Sequence, residues 1–254
     1  MEVMKRELTP HEQRLLELLA EGEAYYDCPK TSDGARLGKL VGYAGTYETA
    51  PGSGEFLNYV GDRYWNFPRG AERDPLVMNE YTQTIVHQLR DRKFRLHNGV
   101  IDCAFGLPQG GIIPAFEIAQ GFGCAYACAD KKITQLATAT AREKSELILG
   151  RHTVEQNWRI GLVEDLVNNM STTDKAIKLV EGKGARVAVI ICMINRSPEG
   201  LTVYEYEGRE IPIIQAVLIP TGEYRQDDPF VAEDIANGNV VWSPKGNWND
   251  LLAA

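Results

Sequence analysis

The sequence predicts an α/β fold in which a parallel sheet carries helices on both of its faces. Two observations favour this fold. From about residue 100 to residue 219, short apolar runs alternate with helical patterns. The apolar runs are continuous rather than broken by polar residues, which is typical of parallel strands buried on both sides. A chain of 254 residues is long enough for one large domain or two small ones.

The elements before residue 100 begin with a well-marked helix. Thr9-Pro10-His11-Glu12 combines a capping box with a proline at the first helical position, and Gly22 is placed to end the helix. Residues 25–70 are predicted to be irregular, with short strand-like pieces such as residues 54–60. Asp74-Pro75 then caps a second helix, in which apolar residues recur at helical spacing.

The elements after residue 100 follow the α/β alternation. Strands are predicted over residues 100–105, 124–129, 160–164, 187–194 and 213–219, and helices over residues 113–121 and 171–181. Residues 133–158 interrupt this alternation, because a connection of about 25 residues is longer than strands and helices usually need. We expect this insertion to be functional or mobile.

Composition excludes several classes of protein. The net charge of -8 argues against DNA or an anionic membrane as the main partner. No apolar run approaches the roughly 20 residues that span a bilayer, and the first residues contain no secretory signal. Three of the five cysteines lie in apolar runs, and Cys124 and Cys128 have no second pair, so we interpret them as structural rather than zinc-binding. Reduced cysteines of this kind predict a cytoplasmic protein.

A glycine-rich loop, Gly106–Pro114, follows the first core strand. Its glycines allow the backbone to approach an anion closely and to adopt positive φ angles. The alternative is a plain tight turn before a helix.

Two adjacent acids follow the strand at residues 160–164. Glu164 and Asp165 lead into a short polar loop, and Ser171 is predicted to cap the next helix with Asp174 as its box partner. Side-by-side carboxylates need water, a cation or hydroxyl donors, while the free N–H groups at a helix start attract phosphate. The order of these features favours a phosphorylated ligand with hydroxyl groups. The alternative is a solvated strand end and an ordinary helix cap.

The insertion carries the third group of candidates, which are cations. It follows Lys131-Lys132 and contains Arg142, Lys144, Arg151 and His152. A cationic loop of this kind could close over a polyanion and neutralise a leaving group. A solvated hairpin is the alternative.

The segment Val163–Thr172 resembles the signature of the type I phosphoribosyltransferases, and most closely that of the orotate phosphoribosyltransferases. Gly106–Pro114 resembles the pyrophosphate loop of that family. Val189–Arg196 resembles the next strand with its Asp-Arg ending, and Val60–Asn66 resembles the hood, the segment that covers the base. The resemblance spans about residues 55–220 and implies a parallel-sheet, Rossmann-like core with a small hood from the N- and C-terminal segments.

The resemblance also implies an organisation and a set of partners. It implies one domain over residues 1–254, with an N-terminal helix (1–24), hood and extensions (25–75 and 220–254) and an α/β core (76–219). The partners would be phosphoribosyl pyrophosphate (PRPP) and a heterocyclic base, with Mg²⁺ entering on PRPP rather than on protein ligands. A cytoplasmic homodimer is expected, without nucleic acid or membrane as a partner.

Site residues follow from the resemblance, position by position. Glu164 and Asp165 would hold the ribose hydroxyls. The 5′-phosphate would lie on the backbone of Asn168, Asn169, Met170, Ser171 and Thr172. The pyrophosphate would meet Pro108, Gln109 and Gly110, and the base would lie near Arg63 and Tyr64. The catalytic candidates are Lys131, Lys132, Arg151 and His152.

The sequence departs from the family pattern in the loops. Met170 stands where the family has glycine, so its side chain must point away from phosphate or the loop must differ. Asn168 or Asn169 could supply the unusual backbone angles. Gln109 replaces a basic residue of the pyrophosphate loop, and the insertion lacks the family's His-Gly sequence.

Three functional hypotheses result. The first is a phosphoribosyltransferase similar to the orotate enzymes, which transfers the phosphoribosyl group of PRPP to a pyrimidine-like or other heterocyclic base and releases pyrophosphate. The second is a non-catalytic regulatory protein that binds PRPP or a nucleotide on the same fold. The third is a structural subunit whose aromatic C-terminal segment, residues 240–248, docks on a partner.

Overall fold

The computed structural model describes residues 6–91, 101–135 and 144–252. Its helices are α1 (Pro10–Glu21), α2 (Pro75–Arg90), α3 (Ile112–Phe122), α4 (Ser171–Glu181), α5 (Ala232–Ala236) and α6 (Trp248–Leu252), with a π-helical turn at Pro68–Glu72. Its strands are β1 (Tyr25–Asp27), β2 (Leu40–Glu48), β3 (Phe56–Gly61), β4 (Arg63–Trp65), β5 (Cys103–Gly106), β6 (Ala125–Cys128), β7 (Asp130–Gln135), β8 (Lys144–Ile148), β9 (Arg159–Val167), β10 (Arg186–Asn195), β11 (Val203–Tyr206), β12 (Arg209–Leu218) and β13 (Val240–Val241).

The central sheet has six strands in the order β11-β12-β10-β9-β5-β6. Every pairing in it is parallel except the antiparallel edge pair β11–β12. The predicted α/β fold is therefore confirmed. Because β5, β9 and β10 run side by side and in the same direction, their carboxyl ends meet at one edge of the sheet, where ligands of open α/β folds bind.

Both faces of the sheet are buried, as the continuous apolar runs indicate. Val163 packs in one core cluster with residues of α1, α2 and α3, whereas its neighbour Leu162 packs in a second cluster with Ile177 and Val180 of α4. Successive residues of a strand point to opposite faces, so a strand between two helical layers needs apolar residues at every position.

The predicted start of α1 is confirmed. Thr9 Oγ1 accepts a hydrogen bond from the backbone N–H of Glu12, and Glu12 Oε2 accepts one from the backbone N–H of Thr9. Glu12 also accepts a hydrogen bond from the backbone N–H of Leu218 at 3.0 Å, which fastens the helix to β12. Asp74 likewise caps α2 through the N–H of Leu76.

The region from residue 25 to residue 70 is more regular than predicted. It contains β1 and β4, which pair with each other, and β2 and β3, which form a sheet with β13 from the C-terminal segment. The interpretation of this region as irregular was wrong because glycines interrupt the strand pattern. Gly42 in β2 has a packing reason, since a β-carbon there would lie less than 3.0 Å from the ring of Trp242. The small hood from both ends of the chain is thus present.

The insertion forms an antiparallel hairpin of β7 and β8, the alternative that the sequence left open. Residues 136–143, with Arg142, lie outside the described residues, as do residue 100 and the side chain of Lys144. In the described part of the chain, no helix is long and apolar enough to cross a membrane.

Candidate active site

Glu164 and Asp165 lie near the carboxyl end of β9, the strand that β10 and β5 flank. The strand continues to Val167, so the prediction that it ends at Glu164 was wrong. The reason is pairing with the long strand β10, whose Ile194 and Asn195 stand opposite Leu166 and Val167 and continue the ladder beyond the acids. Both acids are consequently held by regular backbone rather than by a loop.

The two carboxyl groups are partly buried, and both have raised pKa values. Burial raises the pKa of Glu164 well above its ordinary value, and the neighbouring charge of Asp165 adds to the effect. Burial also raises the pKa of Asp165, although backbone hydrogen bonds and the ammonium group of Lys245 oppose that rise. Burial thus destabilises the charged forms of both acids. A ligand that brings hydroxyl donors or positive charge would stabilise these charged forms.

The glycine loop packs directly on β9. Leu107 donates its backbone N–H to Val163 O at 2.9 Å. A β-carbon at Gly110 would lie less than 3.0 Å from the carboxyl group of Asp165, and one at Gly111 would collide with the backbone of Val163. The peptide bond between Pro108 and Gln109 is cis, and the side chain of Gln109 is exposed. The structure therefore brings the predicted pyrophosphate loop into contact with Asp165, one of the two predicted ribose acids.

The loop from β9 to α4 turns at Met170, which has φ 58° and a side chain only 6% exposed. Its sulfur accepts a hydrogen bond from Thr173 Oγ1 at 3.6 Å, and its side chain belongs to the core cluster below α4. The side chain thus points away from the loop surface. The expectation that Asn168 or Asn169 supplies the positive φ was wrong, because the buried side chain fixes the turn at Met170.

The cap of α4 also differs from the prediction. Met170 is the N-cap residue and Ser171 is the first helical residue, so the cap lies one position before the predicted one. Asp174 accepts a hydrogen bond from the hydroxyl of Tyr204. The N–H groups of the first turn, at residues 171–173, have no acceptor within the helix. They border a cleft of about 290 Å³ that is lined by Glu164, Leu166, Val167, Asn168, Asn169, Met170, Thr172 and Thr173.

A largely buried polar network that the sequence analysis missed connects this loop to the hood. Arg196, which follows β10, donates to Glu223 Oε1 at 3.3 Å and lies 4.7 Å from the ring centre of Tyr43. Asn168 donates its side-chain amide to the same Glu223 oxygen. The sequence did give a signal for Arg196, because Asn195-Arg196 resembles the Asp-Arg ending of the corresponding strand in the family. No local sequence pattern identifies Tyr43 or Glu223 as members of this network.

The two hood candidates have different surroundings. Arg63 pairs with Asp27 across β4 and β1, at 3.1 Å. The ring of Tyr64 packs 5.8 Å from that of Trp248. Burial raises the pKa of Tyr64, and the charges of Arg196 and Asp165 act on this pKa in opposite directions.

The four cationic candidates lie on or just after the hairpin. Lys131 and Lys132 are exposed on β7, and Lys132 pairs with Glu146 on β8 at 3.0 Å. Arg151 is exposed, and the ring of His152 packs edge-on against Tyr126, 5.5 Å away. Among the described residues, no hydrogen bond, ion pair or ring contact joins Lys132, Arg151 or His152 to the two acids of β9. The catalytic role of these residues stays a prediction.

Comparison with known proteins supports the fold and a local sequence relationship. No family model matches the sequence. Over 100 residues the chain is 28% identical to an orotate phosphoribosyltransferase of Phenylobacterium zucineum, and over 99 residues it is 30% identical to orotate phosphoribosyltransferase 2 of Mesorhizobium japonicum. Each match covers 39% of this chain and 46% of the relative, so the chain matches about half the length of these relatives.

The structural comparison extends over more of the chain. The adenine phosphoribosyltransferase of Trypanosoma brucei superposes with a TM-score of 0.51 at 14% identity, and the match covers 86% of this chain and 82% of that one. Such a likeness shows a shared fold. Together with the sheet order, this likeness shows that the chain has the type I phosphoribosyltransferase fold.

Proposed function

We propose that this protein is a phosphoribosyltransferase that transfers the phosphoribosyl group of PRPP to a nitrogen of a heterocyclic base and releases pyrophosphate. One observation carries the proposal. Glu164 and Asp165, the glycine loop at Gly110 and the first turn of α4 lie together at the carboxyl edge of the sheet. This arrangement offers acceptors for ribose hydroxyls between two backbone sites for phosphate groups.

The raised pKa values of the two acids fit a ribose ligand. Burial strains their charged forms in the free protein. Hydroxyl groups at the 2- and 3-positions of a ribose would donate hydrogen bonds to the carboxylates and relieve that strain. The 5′-phosphate would then lie on the N–H groups at the start of α4, where the helix dipole also favours negative charge.

Magnesium fits this site only together with the substrate. Among residues 6–91, 101–135 and 144–252, no group of three or more His, Cys, Asp and Glu side chains could hold a metal ion. Oxygen ligands from PRPP would be needed beside Glu164 or Asp165, and oxygen is the ligand that Mg²⁺ prefers. When bound, the ion would supply positive charge to the pyrophosphate.

In the proposed transfer, the residues of this chain would position the substrates and stabilise the charges that develop during the reaction. The bond from the anomeric carbon to pyrophosphate breaks as a base nitrogen attacks, and positive charge develops on the ribose ring. The carboxylates of Glu164 and Asp165 would stabilise that charge across the ring, while the loop at Pro108, Gln109 and Gly110 would hold the departing pyrophosphate. The hood would orient the base near Tyr64.

The base is proposed to be orotate or another pyrimidine-like heterocycle. The two relatives from bacteria carry the name orotate phosphoribosyltransferase. The structural relative from Trypanosoma brucei was solved with AMP, pyrophosphate and ribose-5-phosphate, which supports the ligand class at this edge and makes a purine the competing base.

The proposal is tested by PRPP-dependent release of pyrophosphate with a panel of pyrimidine and purine bases in the presence of Mg²⁺. We expect turnover with at least one base and a large loss of rate in Asp165→Asn. A matched control is Asp227→Asn, which makes the same change at an exposed aspartate outside the candidate site. Measurable binding of PRPP without turnover on any base would contradict the transferase assignment.

A PRPP- or nucleotide-binding regulator is the second candidate. It is favoured by the hairpin, where Lys132 is neutralised by Glu146 and the ring of His152 packs on Tyr126. Under this hypothesis calorimetry would detect ligand binding without chemistry. Loss of a measured transferase rate in Glu164→Ala would exclude it.

The cytoplasmic homodimer remains an expectation. Light scattering after size exclusion, with and without residues 240–254, would test the assembly. Trp248 is buried in the chain's own hood, next to Tyr64, so the C-terminal segment already has an intramolecular role. An unchanged mass after truncation would exclude a role of this segment in assembly.

A further inference from the structure

The short loop between β9 and α4 is fixed at both of its ends. At its start, the side-chain amide of Asn168 donates a hydrogen bond to Glu223 Oε1. At its end, the side chain of Met170 is buried in the core cluster below α4. Asn169, between these two residues, is exposed. The backbone that leads into the first turn of α4 is therefore held by one polar anchor and one apolar anchor.

The polar anchor, Glu223, belongs to the segment that follows β12. The next residue, Tyr224, exchanges two backbone hydrogen bonds with Val60 of β3 in the hood, at 3.0 and 2.9 Å. Two positions before Glu223, Thr221 donates its backbone N–H to Arg196 O at 3.3 Å. Glu223 thus lies between the hood and the end of β10, on backbone that is bonded to both.

Arg196 brings the end of β10 to the same carboxylate. Its backbone N–H donates to Val167 O, the residue before Asn168, at 2.9 Å, and its guanidinium donates to Glu223 Oε1 at 3.3 Å. One carboxylate oxygen therefore accepts hydrogen bonds from the loop after β9 and from the residue after β10. The side chains of Arg196 and Glu223 are largely buried, and hydrogen bonds in such surroundings are stronger than those in water.

The side chain of Asn168 depends on Glu223 for its orientation. Among the described residues, its other polar atom, Oδ1, is buried and has no hydrogen-bond partner, and the same holds for Nη1 of Arg196. A buried amide in this state would lose its polar restraint together with its bond to the glutamate. The start of the loop is thus oriented by a residue 55 positions further along the chain.

We propose that Glu223 is a positioning residue, which holds the loop of residues 168–170 in place for the 5′-phosphate of the substrate. The inference rests on the proposed function, because it requires a phosphorylated ribose at the start of α4. Asn168 and Met170 line the cleft at this loop, and Glu223 is not among the described residues that do, so it acts through Asn168. Backbone N–H groups that are already held in place bind phosphate without the cost of ordering the loop.

The test compares two ligands that are the two halves of PRPP. Isothermal calorimetry with Mg²⁺ would measure the binding of ribose-5-phosphate and of pyrophosphate to the wild type, Glu223→Ala, Asn168→Ala and the double variant. Asn168→Ala keeps the backbone N–H of residue 168 and the ion pair of Arg196 with Glu223. We expect each single variant to bind ribose-5-phosphate about ten-fold more weakly, as for the loss of one charge-assisted hydrogen bond. Pyrophosphate should bind as it does to the wild type.

The double variant shows whether the two residues act as one unit. It should bind ribose-5-phosphate no more weakly than the weaker single variant, because residues of one hydrogen-bond network are not additive. Glu223→Gln keeps an oxygen acceptor and should lose less affinity than Glu223→Ala. Should the alanine variant not fold, Glu223→Gln takes its place, and its loss should vanish when residue 168 is already alanine. The control is Glu199→Gln, the same change at an exposed glutamate, which should bind both ligands as the wild type does.

The outcomes separate this inference from the proposed function. Losses that multiply in the double variant, or unchanged affinity in both single variants, would overturn the inference. A loss in the Glu223 variant with none in Asn168→Ala would also overturn it, since the glutamate would then act through Arg196. An equal loss for pyrophosphate would mean a general effect on the fold and would overturn it as well. All of these results leave the proposed function standing, whereas a wild type that binds neither ligand would overturn the proposed function itself.

Discussion

Gly110 and Asp165 are in direct contact, and the contact leaves no room for a side chain at position 110. One residue belongs to the loop after β5 and the other to β9, so the contact joins the two parts of the site. It fixes the distance between the groups that would hold the pyrophosphate and the ribose. The close approach explains the glycine without any need for an unusual φ angle.

Replacing Gly110 by alanine is expected to displace either the loop or the carboxyl group of Asp165. The affinity for PRPP should fall by ten- to a hundred-fold, roughly the effect of a misplacement of about 1 Å in a site. Calorimetric titration with PRPP and Mg²⁺ measures this. Gly45→Ala in β2 is the control, because the nearest atom to a β-carbon there lies 3.6 Å away. Equal affinities of Gly110→Ala and the wild type would show that this contact does not position the ligand.

The raised pKa of Glu164 predicts how stability depends on pH. Because burial and the charge of Asp165 raise this pKa, the folded protein keeps the proton to a higher pH than the unfolded chain does. The contribution of Glu164 to the free energy of unfolding should therefore fall as the pH rises above about 4.3, the ordinary pKa of a glutamate. Each unit between the folded and unfolded pKa contributes about 1.4 kcal/mol.

Glu164→Gln removes this titration and should be more stable than the wild type at neutral pH. Urea unfolding of both proteins at a series of pH values measures the difference, which should shrink towards acid pH as Glu164 of the wild type is protonated in both states. If the difference in the free energy of unfolding between the two proteins stayed constant from pH 4 to pH 8, the raised pKa would not belong to Glu164.

Met170→Gly restores the residue that the family signature has at this position, yet we expect it to be destabilising. Removal of a buried Met side chain costs about 2–5 kcal/mol, whereas relief of a positive φ returns only about 1 kcal/mol. The net loss should be about 1–4 kcal/mol in urea unfolding. Met170→Leu keeps a similar volume and should lose less than about 1.5 kcal/mol. A gain of stability in the glycine variant would mean that backbone strain outweighs packing here.

The ion pair between Arg196 and Glu223 should contribute far more to stability than an exposed pair. Its side chains are only 14% and 12% exposed, so Glu223→Ala leaves a largely buried guanidinium without its partner. We expect a loss of about 2–4 kcal/mol in the free energy of unfolding. In the control pair, Arg225–Asp227, the side chains are 45% and 73% exposed, and Asp227→Ala should cost less than about 1 kcal/mol. Similar losses of stability in Glu223→Ala and Asp227→Ala would show that the buried ion pair stabilises the protein no more than an exposed one.

The sequence was sufficient for features that depend on local order along the chain. The capping box at Thr9, the apolar strands and the position of Glu164 and Asp165 at the edge of the sheet are local patterns, and the structure has them. The turn at Met170 was not predictable, because its φ is set by a side chain that packs on residues distant in the sequence.

Contacts between distant segments account for the other differences. Glu223 meets Asn168 and Arg196 only after the chain has folded, and no neighbour in the sequence marks it. Strand β2 was missed because Gly42 breaks the strand pattern, and the glycine is explained only by Trp242, two hundred positions away. Residues of this kind need the tertiary structure to be recognised.

The central claim is that the edge at Glu164 and Asp165 binds PRPP, and a direct binding measurement tests it best. Calorimetry with PRPP and Mg²⁺ should show saturable binding to the wild type at a stoichiometry of about one per chain. The double variant Glu164→Gln, Asp165→Asn should fold and bind PRPP at least about a hundred-fold more weakly, since two charge-assisted acceptors of the ribose hydroxyls are lost. Equal PRPP affinity of the wild type and the double variant, or no binding to the wild type, would contradict the claim.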